Sequence, residues 1–422
     1  MEENTRERQL WSASMDGLLG VVKSLMADPT LDVNWVGEDR QDTSLHRACR
    51  FGRAEVVKEL LSHDAIDVNK GNFGKATPFS IASQEGHQHV VKLLLGDSRV
   101  EVDTGDKNGA TPIFFASQNG HHSVVRLLLT DPRIDPNMSL SDRVSPLFMA
   151  CQEGYLDIVT LLLRDPRVDV NRPSSRGATP FLLACENGHS DIVTLMLADQ
   201  RVDVNRCNED GVSPFFMACY NGHAPVISVM LTDWRTAVNQ PKHDNSTPLW
   251  FAAQNGYLTV VQLLLASERE IDTKAESLYY QQTAAQQARR QPDIPRSSRD
   301  SDEAYRRRVT NCPIIAALID ASEADRPNTV QRLRETPGMV QNHFIGRIFA
   351  LMVFCSDEFL SPAEGDPGTP DPVRRFVRIA TLLPLELQMV LSNRLFASPK
   401  DVVSLGDAEL GFQWLGRPST WR

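Results

Sequence analysis

The sequence predicts an all-α fold, an α-solenoid of stacked helix–turn–helix repeats with turn fingers, followed by a C-terminal helical region. Three observations predict it. Thr43, Thr77, Thr111, Ser145, Thr179, Ser213 and Thr247 stand 34 residues apart at every step. Five positions after each stands an alanine, from Ala48 to Ala252, and four further on a glycine, from Gly52 to Gly256. Behind each glycine comes a paired apolar pattern, such as Val90-Val91 with Leu94-Leu95 or Ile192-Val193 with Met196-Leu197. That spacing lays a wide apolar stripe on a helix. One helix pair cannot bury the stripe alone, so neighbouring units must stack to complete it.

The elements follow in chain order. Residues 1–38 form an N-terminal cap: Ala13, Gly17, Val21 and Val22 keep the spacing, but the Thr-Pro start is missing. End repeats need one polar outer face, and Trp11 is expected to cover the end of the core. Residues 39–276 hold seven full units. In each, Thr or Ser caps the first helix by accepting a bond from an orphaned backbone N–H. Pro78, Pro112, Pro146, Pro180, Pro214 and Pro248 occupy the next position, where a missing N–H costs nothing. The alanine lets two helices approach closely. The glycine closes the first helix in a left-handed conformation. Residues 277–310, rich in Gln, Arg, Ser and Asp, read as a flexible polar insertion. Cys312-Pro-Ile-Ile-Ala-Ala317 then recovers the Pro-and-Ala spacing, so residues 311–337 read as a degenerate further repeat. In residues 338–422, two longer helices are expected over 344–360 and 373–396, joined by a Pro/Gly-rich loop.

The T-P-x-x-x-A opening, the glycine between helices and the closing Asp-Val-Asn resemble ankyrin repeats over residues 9–276. Three departures stand out. The step is 34 residues where the family has about 33, and Asp131-Pro-Arg133 or Asp165-Pro-Arg167 follows the second helix where the family usually has Gly. The family's histidine near the start survives only as His46; Ser80, Phe114, Phe148, Leu182, Phe216 and Trp250 replace it. These aromatics read as stacking between repeats, with an apolar groove as the competing reading.

Composition bounds the function. With 41% hydrophobic and 23% charged residues the chain is ordinary and globular. A net charge of -10 argues against nucleic acid and fits a preference for basic partners. The N-terminus has no signal-like apolar core, and residues 344–354 are interrupted by Arg347 and too short to span a bilayer. Seven cysteines without a CxxC pair point to a reducing compartment. These features predict a monomeric cytoplasmic protein, with the nucleus open, that binds no membrane.

No catalytic grammar is present, and no cofactor or metal is expected. Gly74-Lys75-Ala76-Thr77 mimics the end of a phosphate loop but lacks the upstream Gly. His87, His121, His189 and His223 follow the glycine in stacked units about 8–10 Å apart, too far to share one zinc. The same spacing forbids disulfides among Cys151, Cys185 and Cys219, which read as buried, reduced thiols.

The resemblance implies a non-enzymatic scaffold that binds a protein partner on the concave and finger surface. It places there the residues before each glycine and those at the turn tips. From the first set come Arg50, Phe51, Glu85, Asn119, Glu153, Glu186, Tyr220 and Gln254; from the second, Arg40, Phe73, Lys107, Asn108, Asp142, Arg176, Asp210 and His243. Phe51, Phe73 and Tyr220 rank highest, because aromatics dominate interface energetics. Each Asp-Val-Asn also looks like a hydroxylation substrate of the ankyrin family, although a turn-stabilising Asn is the favoured reading. The alternative function is a ubiquitin-ligase adaptor recruited through the tail. It rests on Leu383-Pro-Leu-Glu-Leu387, which weakly resembles part of an F-box or SOCS box.

Overall fold

Thr and Ser caps recur wherever the spacing demands them. The Thr77 hydroxyl accepts from Ser80 N at 3.1 Å, Ser213 from Phe216 N at 3.2 Å and Thr247 from Trp250 N at 3.2 Å. Such caps stabilise a helix by about 1 kcal/mol each, and Pro at the first helical position follows all three. The computed structural model describes residues 5–336, apart from 39, 268, 298, 299 and 335. The helices expected over 344–360 and 373–396, and the Leu383–Leu387 stretch of the adaptor reading, lie outside the described residues.

The chain divides into two compact units, Met1–Pro180 and Phe181–Arg422. The first holds α1 (Arg6–Asp16) with α2 (Leu19–Met26), and α3 (Ser44–Arg50) with α4 (Ala54–Leu61). After these come α5 (Pro78–Gln84) with α6 (Gln88–Leu95), and α7 (Pro112–Gln118) with α8 (His122–Leu129). Its last pair is α9 (Pro146–Glu153) with α10 (Leu156–Arg164). First helices pack on first helices and second on second, giving an all-α repeat solenoid in two layers. Val56-Val57, Val90-Val91 and Val124-Val125, with Leu60, Leu94 and Leu128, are buried between the layers.

The second unit begins with α11 (Pro180–Glu186) and α12 (Ser190–Ala198). The pairs α13 (Pro214–Asn221) with α14 (Ala224–Thr232), and α15 (Pro248–Gln254) with α16 (Leu258–Ala266), follow the same plan. Three further helices are α17 (Ala284–Arg290), α18 (Asp302–Ala324) and α19 (Arg326–Arg334).

Two segments depart from expectation. A loop without apolar period is expected over 277–310, yet Thr283 closes a capping box with Gln286 and starts α17. Ala284, Ala285 and Ala288 are buried, and α17 packs on α15 and α18. Ala288 stands five after Thr283, so the repeat spacing persists there with alanines in place of larger apolar residues. A helix start is expected at Cys312, yet Cys312 and Pro313 lie inside the 23-residue α18. Pro313 faces solvent, while Cys312, Ile315, Ala316 and Ile319 are buried at helical spacing. That buried face holds the helix through a proline that would otherwise break it.

The linkers explain the 34-residue step. Arg99, Arg133 and Arg167 each grip the Asp two positions earlier, at 2.6–2.7 Å. Each also donates to a carbonyl 38 residues back: Leu61 at 2.7 Å, Leu95 at 3.0 Å and Leu129 at 3.0 Å. In the second unit Arg235 does the same to Leu197. Each of these arginines therefore caps the C-terminal end of the previous repeat's second helix. Asp-Pro-Arg stops its own helix, as the sequence suggests, and also clamps the neighbouring repeat. The hydrogen bond from Arg133 holds the Asp131 carboxyl below the usual range, and Arg167 does so for Asp165.

The Asp-Val-Asn asparagines, and Asn137 of Asp135-Pro-Asn137, act in the same way. The Asn69 amide donates to Arg99 O at 2.7 Å, and its oxygen accepts from Glu101 N at 2.9 Å. Asn34, Asn137 and Asn205 repeat both bonds. The asparagines thus tie successive repeats together.

Candidate functional site

The surface formed by the turn fingers and the first helices is built by backbone bonds between repeats. Phe73 N donates to Arg40 O at 2.9 Å, Lys107 N to Gly74 O at 2.9 Å, Ser141 N to Asn108 O at 3.2 Å and Ser175 N to Asp142 O at 2.7 Å. Each finger is thereby held against the next, and the tips form a row along the first unit. The finger adopts a left-handed conformation at Gln41, Lys75 and Arg143, and at the equivalent Gly109.

Among the sequence-predicted residues of this unit, Arg40, Phe51, Phe73, Glu85, Lys107, Asn108, Asn119, Asp142, Glu153 and Arg176 are exposed. Phe73 stands out at 75% exposure and Phe51 at 42%. Three of the predicted residues, Arg40, Arg50 and Phe73, come together with Ile81, Gln84 and Phe115 around a cleft of about 350 Å³. Arg50 is half-buried, 3.4 Å from Asp42 and 3.5 Å from Glu85. Arg47 stacks over Trp11 at 4.0 Å and over Phe51 at 5.3 Å, which joins the N-terminal cap to the end of this face.

Several predicted residues are partly consumed by stacking. The Asn119 amide donates to Gln84 O at 3.0 Å. In the second unit His243 Nε2 donates to Glu209 O at 3.1 Å, and a Cβ on Gly211 would meet that ring at 2.9 Å. Tyr220, 44% exposed, leans on Phe251 at 5.3 Å between ring centroids. Glu186 and Gln254 are half-buried, and burial pushes the Glu186 carboxyl upward. Asp210 is exposed at its finger tip.

The histidines after the glycines are latches between repeats. His87 Nε2 donates to Arg50 O, His121 to Gln84 O and His223 to Glu186 O, at 2.8–2.9 Å. His46 Nδ1 accepts from Thr43 N at 3.1 Å, and its Nε2 donates to Ala76 O at 3.0 Å. Trp250 Nε1 copies that contact by donating to Gln282 O at 3.0 Å. Phe114, Phe148, Phe216 and Trp250 are all buried, which decides for stacking between repeats and against an exposed groove of these rings. Burial pushes the thiols of Cys49, Cys151 and Cys219 well up, and that of Cys312 to about 11.

Sequence reasoning missed Lys75 and Arg143 as surface candidates, both exposed at finger tips, two positions after Phe73 and one after Asp142. It also missed Leu278 and Tyr279, exposed on a last finger whose Leu278 N donates to Asp244 O at 2.8 Å. Self-similarity carried past residue 276 could have found the latter.

A family model of ankyrin repeats matches residues 10–106, 80–174, 113–208 and 181–276. The chain belongs to the ankyrin-repeat family. No curated protein shows significant similarity to it. Ankyrin repeats are in general protein–protein interaction modules. Among the described residues, no helix is long and apolar enough to cross a membrane, and no three potential metal ligands converge.

Proposed function

We propose that this ankyrin-repeat chain is a non-enzymatic scaffold that holds a protein partner on the finger face of its first unit. The observation that carries this reading is Phe73. It is fixed by a backbone bond to Arg40, stands 75% exposed at the mouth of the cleft, and has two arginines beside it. A large aromatic held in water by a rigid backbone costs stability and pre-pays the ordering cost of binding. Its buried thiols and structurally engaged histidines support a binding role over a catalytic one.

A photo-cross-linking amino acid at position 73 of the full chain tests the reading. Lys92, exposed on the second-helix layer, serves as the control position. Partner adducts are expected from position 73 and not from 92. Adducts from 92 alone would move the binding face to the other side of the unit.

A further inference from the structure

The net charge of -10 suggests basic partners, yet the fingers of the first unit also carry a regular row of cations. Arg40, Lys75, Lys107, Arg143 and Arg176 put one cation on each of five successive fingers, and all five are exposed. Several cations elsewhere in the unit are engaged, while Lys58, Lys92 and Arg126 stand exposed on the second-helix layer. Arg99, Arg133 and Arg167 grip aspartates, Arg50 lies between Asp42 and Glu85, Lys70 donates to Asn34 O and Arg172 to Ser139. None of the five finger cations makes an ion pair or side-chain hydrogen bond within the described residues.

The acidic residues beside them are turned to other uses. Asp42 accepts from the Asn72 amide at 2.9 Å and faces Arg50. Asp106 accepts from Asn108 N and Ala110 N at 2.9 Å, inside its own turn. Asp142 accepts from Val144 N at 3.2 Å. Among the described residues, Glu38 is the exposed acid that remains at the first finger. The side chains of Asp42, Asp106 and Asp142 are thus each held by a hydrogen bond, whereas those of the five cations are not.

Backbone conformation adds a second observation. Lys75 and Arg143 sit at φ 60° and 66°, where the equivalent finger positions hold Gln41 at φ 56° and Gly109 and Gly177 at φ 86° and 78°. A side chain in that conformation is disfavoured by about 1 kcal/mol. Glycine serves the turn equally well, and two of the three fingers of this unit that depart from it carry a cation there.

We propose that the five-finger cation row binds an extended, acidic segment of a partner protein, with a large apolar residue of that segment seated against Phe73. The inference rests on the finger-face reading above and names the chemistry of the ligand. Successive repeats stack helix on helix, so successive tips lie about 10 Å apart. Four such steps span about 40 Å, the length of an extended peptide of about 12 residues. A duplex nucleic acid fits less well, since one cation per step of about 10 Å meets few of its closely spaced phosphates.

The test measures fluorescence anisotropy of labelled peptides of about 12 residues with the full chain, at about 0.05 M and about 0.15 M salt. One peptide is Glu and Ser around a central Phe; the second replaces Glu by Lys. Single-stranded RNA and phosphatidylserine vesicles serve as anionic competitors. Two charge-matched variants are compared: Lys75→Glu/Lys107→Glu/Arg143→Glu, and the second-helix control Lys58→Glu/Lys92→Glu/Arg126→Glu, each checked for an unchanged circular dichroism spectrum.

The acidic peptide is expected to bind more tightly than the basic one and to weaken with salt. The finger variant should lose about tenfold in affinity and the control less than about twofold, as three exposed charge reversals imply. Equal losses in both variants overturn the proposal, as does RNA or vesicle binding at least as tight as the acidic peptide's, or no binding of the acidic peptide. If the basic peptide binds instead, and Phe73→Ala weakens it, the inference fails while the finger-face reading stands. Binding of either peptide that Phe73→Ala leaves unchanged removes the finger-face reading itself.

Discussion

Asp103 is the flaw in the asparagine ladder, and Asp103→Asn should stabilise the protein. At Asn34, Asn69 and Asn137 the side-chain amide donates to a carbonyl of the next repeat at 2.7 Å, and the oxygen accepts from a backbone N–H at 2.7–2.9 Å. Asp103 keeps only the accepting half: its Oδ2 takes Asp135 N at 2.9 Å, while Oδ1 is buried without a partner. Burial, with Asp135 and Asp131 nearby, raises its carboxyl above the ordinary range. An amide at this position can donate where the carboxylate cannot. One restored hydrogen bond contributes about 0.5–1.5 kcal/mol and the relieved oxygen about 1–3 kcal/mol. Because Asp103 is only half-buried, the sum is discounted to about 1–2 kcal/mol.

Urea unfolding of both proteins, followed by circular dichroism across pH, measures the gain. The sign follows from the raised value. Asp103's contribution is present at low pH, where the carboxyl is protonated, and is lost as the pH rises through its folded pKa. The two proteins should therefore be similar in acid, with the variant ahead by about 1–2 kcal/mol at neutral pH. A gap that is independent of pH, or a variant less stable at pH 7, refutes the reasoning.

Two further predictions use the same assay. Gly86→Ala and Gly109→Ala share a left-handed backbone, at φ 77° and 86°, but a Cβ at 86 would meet His121 at 2.5 Å while one at 109 meets nothing closer than 3.6 Å. Gly109→Ala should cost about 1 kcal/mol, and Gly86→Ala about 2–3 kcal/mol as the His121 latch is displaced; equal costs would refute the latch. His46 is buried and its pKa is lowered, chiefly by that burial. Its stabilisation is present above the ordinary histidine value near 6.5 and is lost as the pH falls toward the folded value. His46→Leu should flatten that part of the pH profile, and an unchanged slope would assign it to other groups.

The stacked-repeat fold was readable because its signals are local and repeated. Thr-Pro caps act within four residues of chain, the glycine needs only its own φ, and the paired valines declare a stripe on one helix. Seven copies turn weak signals into one pattern. The same strength became a weakness after residue 276. The Thr283–Ala288 spacing lacks Pro and large apolar residues, and Cys312-Pro313 imitates a cap although it lies inside α18. Pro313 survives there because its neighbours Cys312 and Ile315 are buried against the preceding repeat, a contact the spacing does not reveal.

The binding surface was legible as a set of positions and not as a set of roles. Arg40, Phe73 and Lys107 lie where the turn pattern puts them, but exposure and partnership come from residues 30–38 away. Asn119 looks available in sequence and is spent on Gln84 O, whereas Lys75 looks like turn filler and stands in water. By itself, the sequence determined the repeat, its caps, its layers and its family, because each depends on interactions within one helix pair. Only the tertiary structure decided which arginines are clamps and which finger cations are unpaired. Carbonyls, carboxylates and rings from different repeats become neighbours only when the repeats stack.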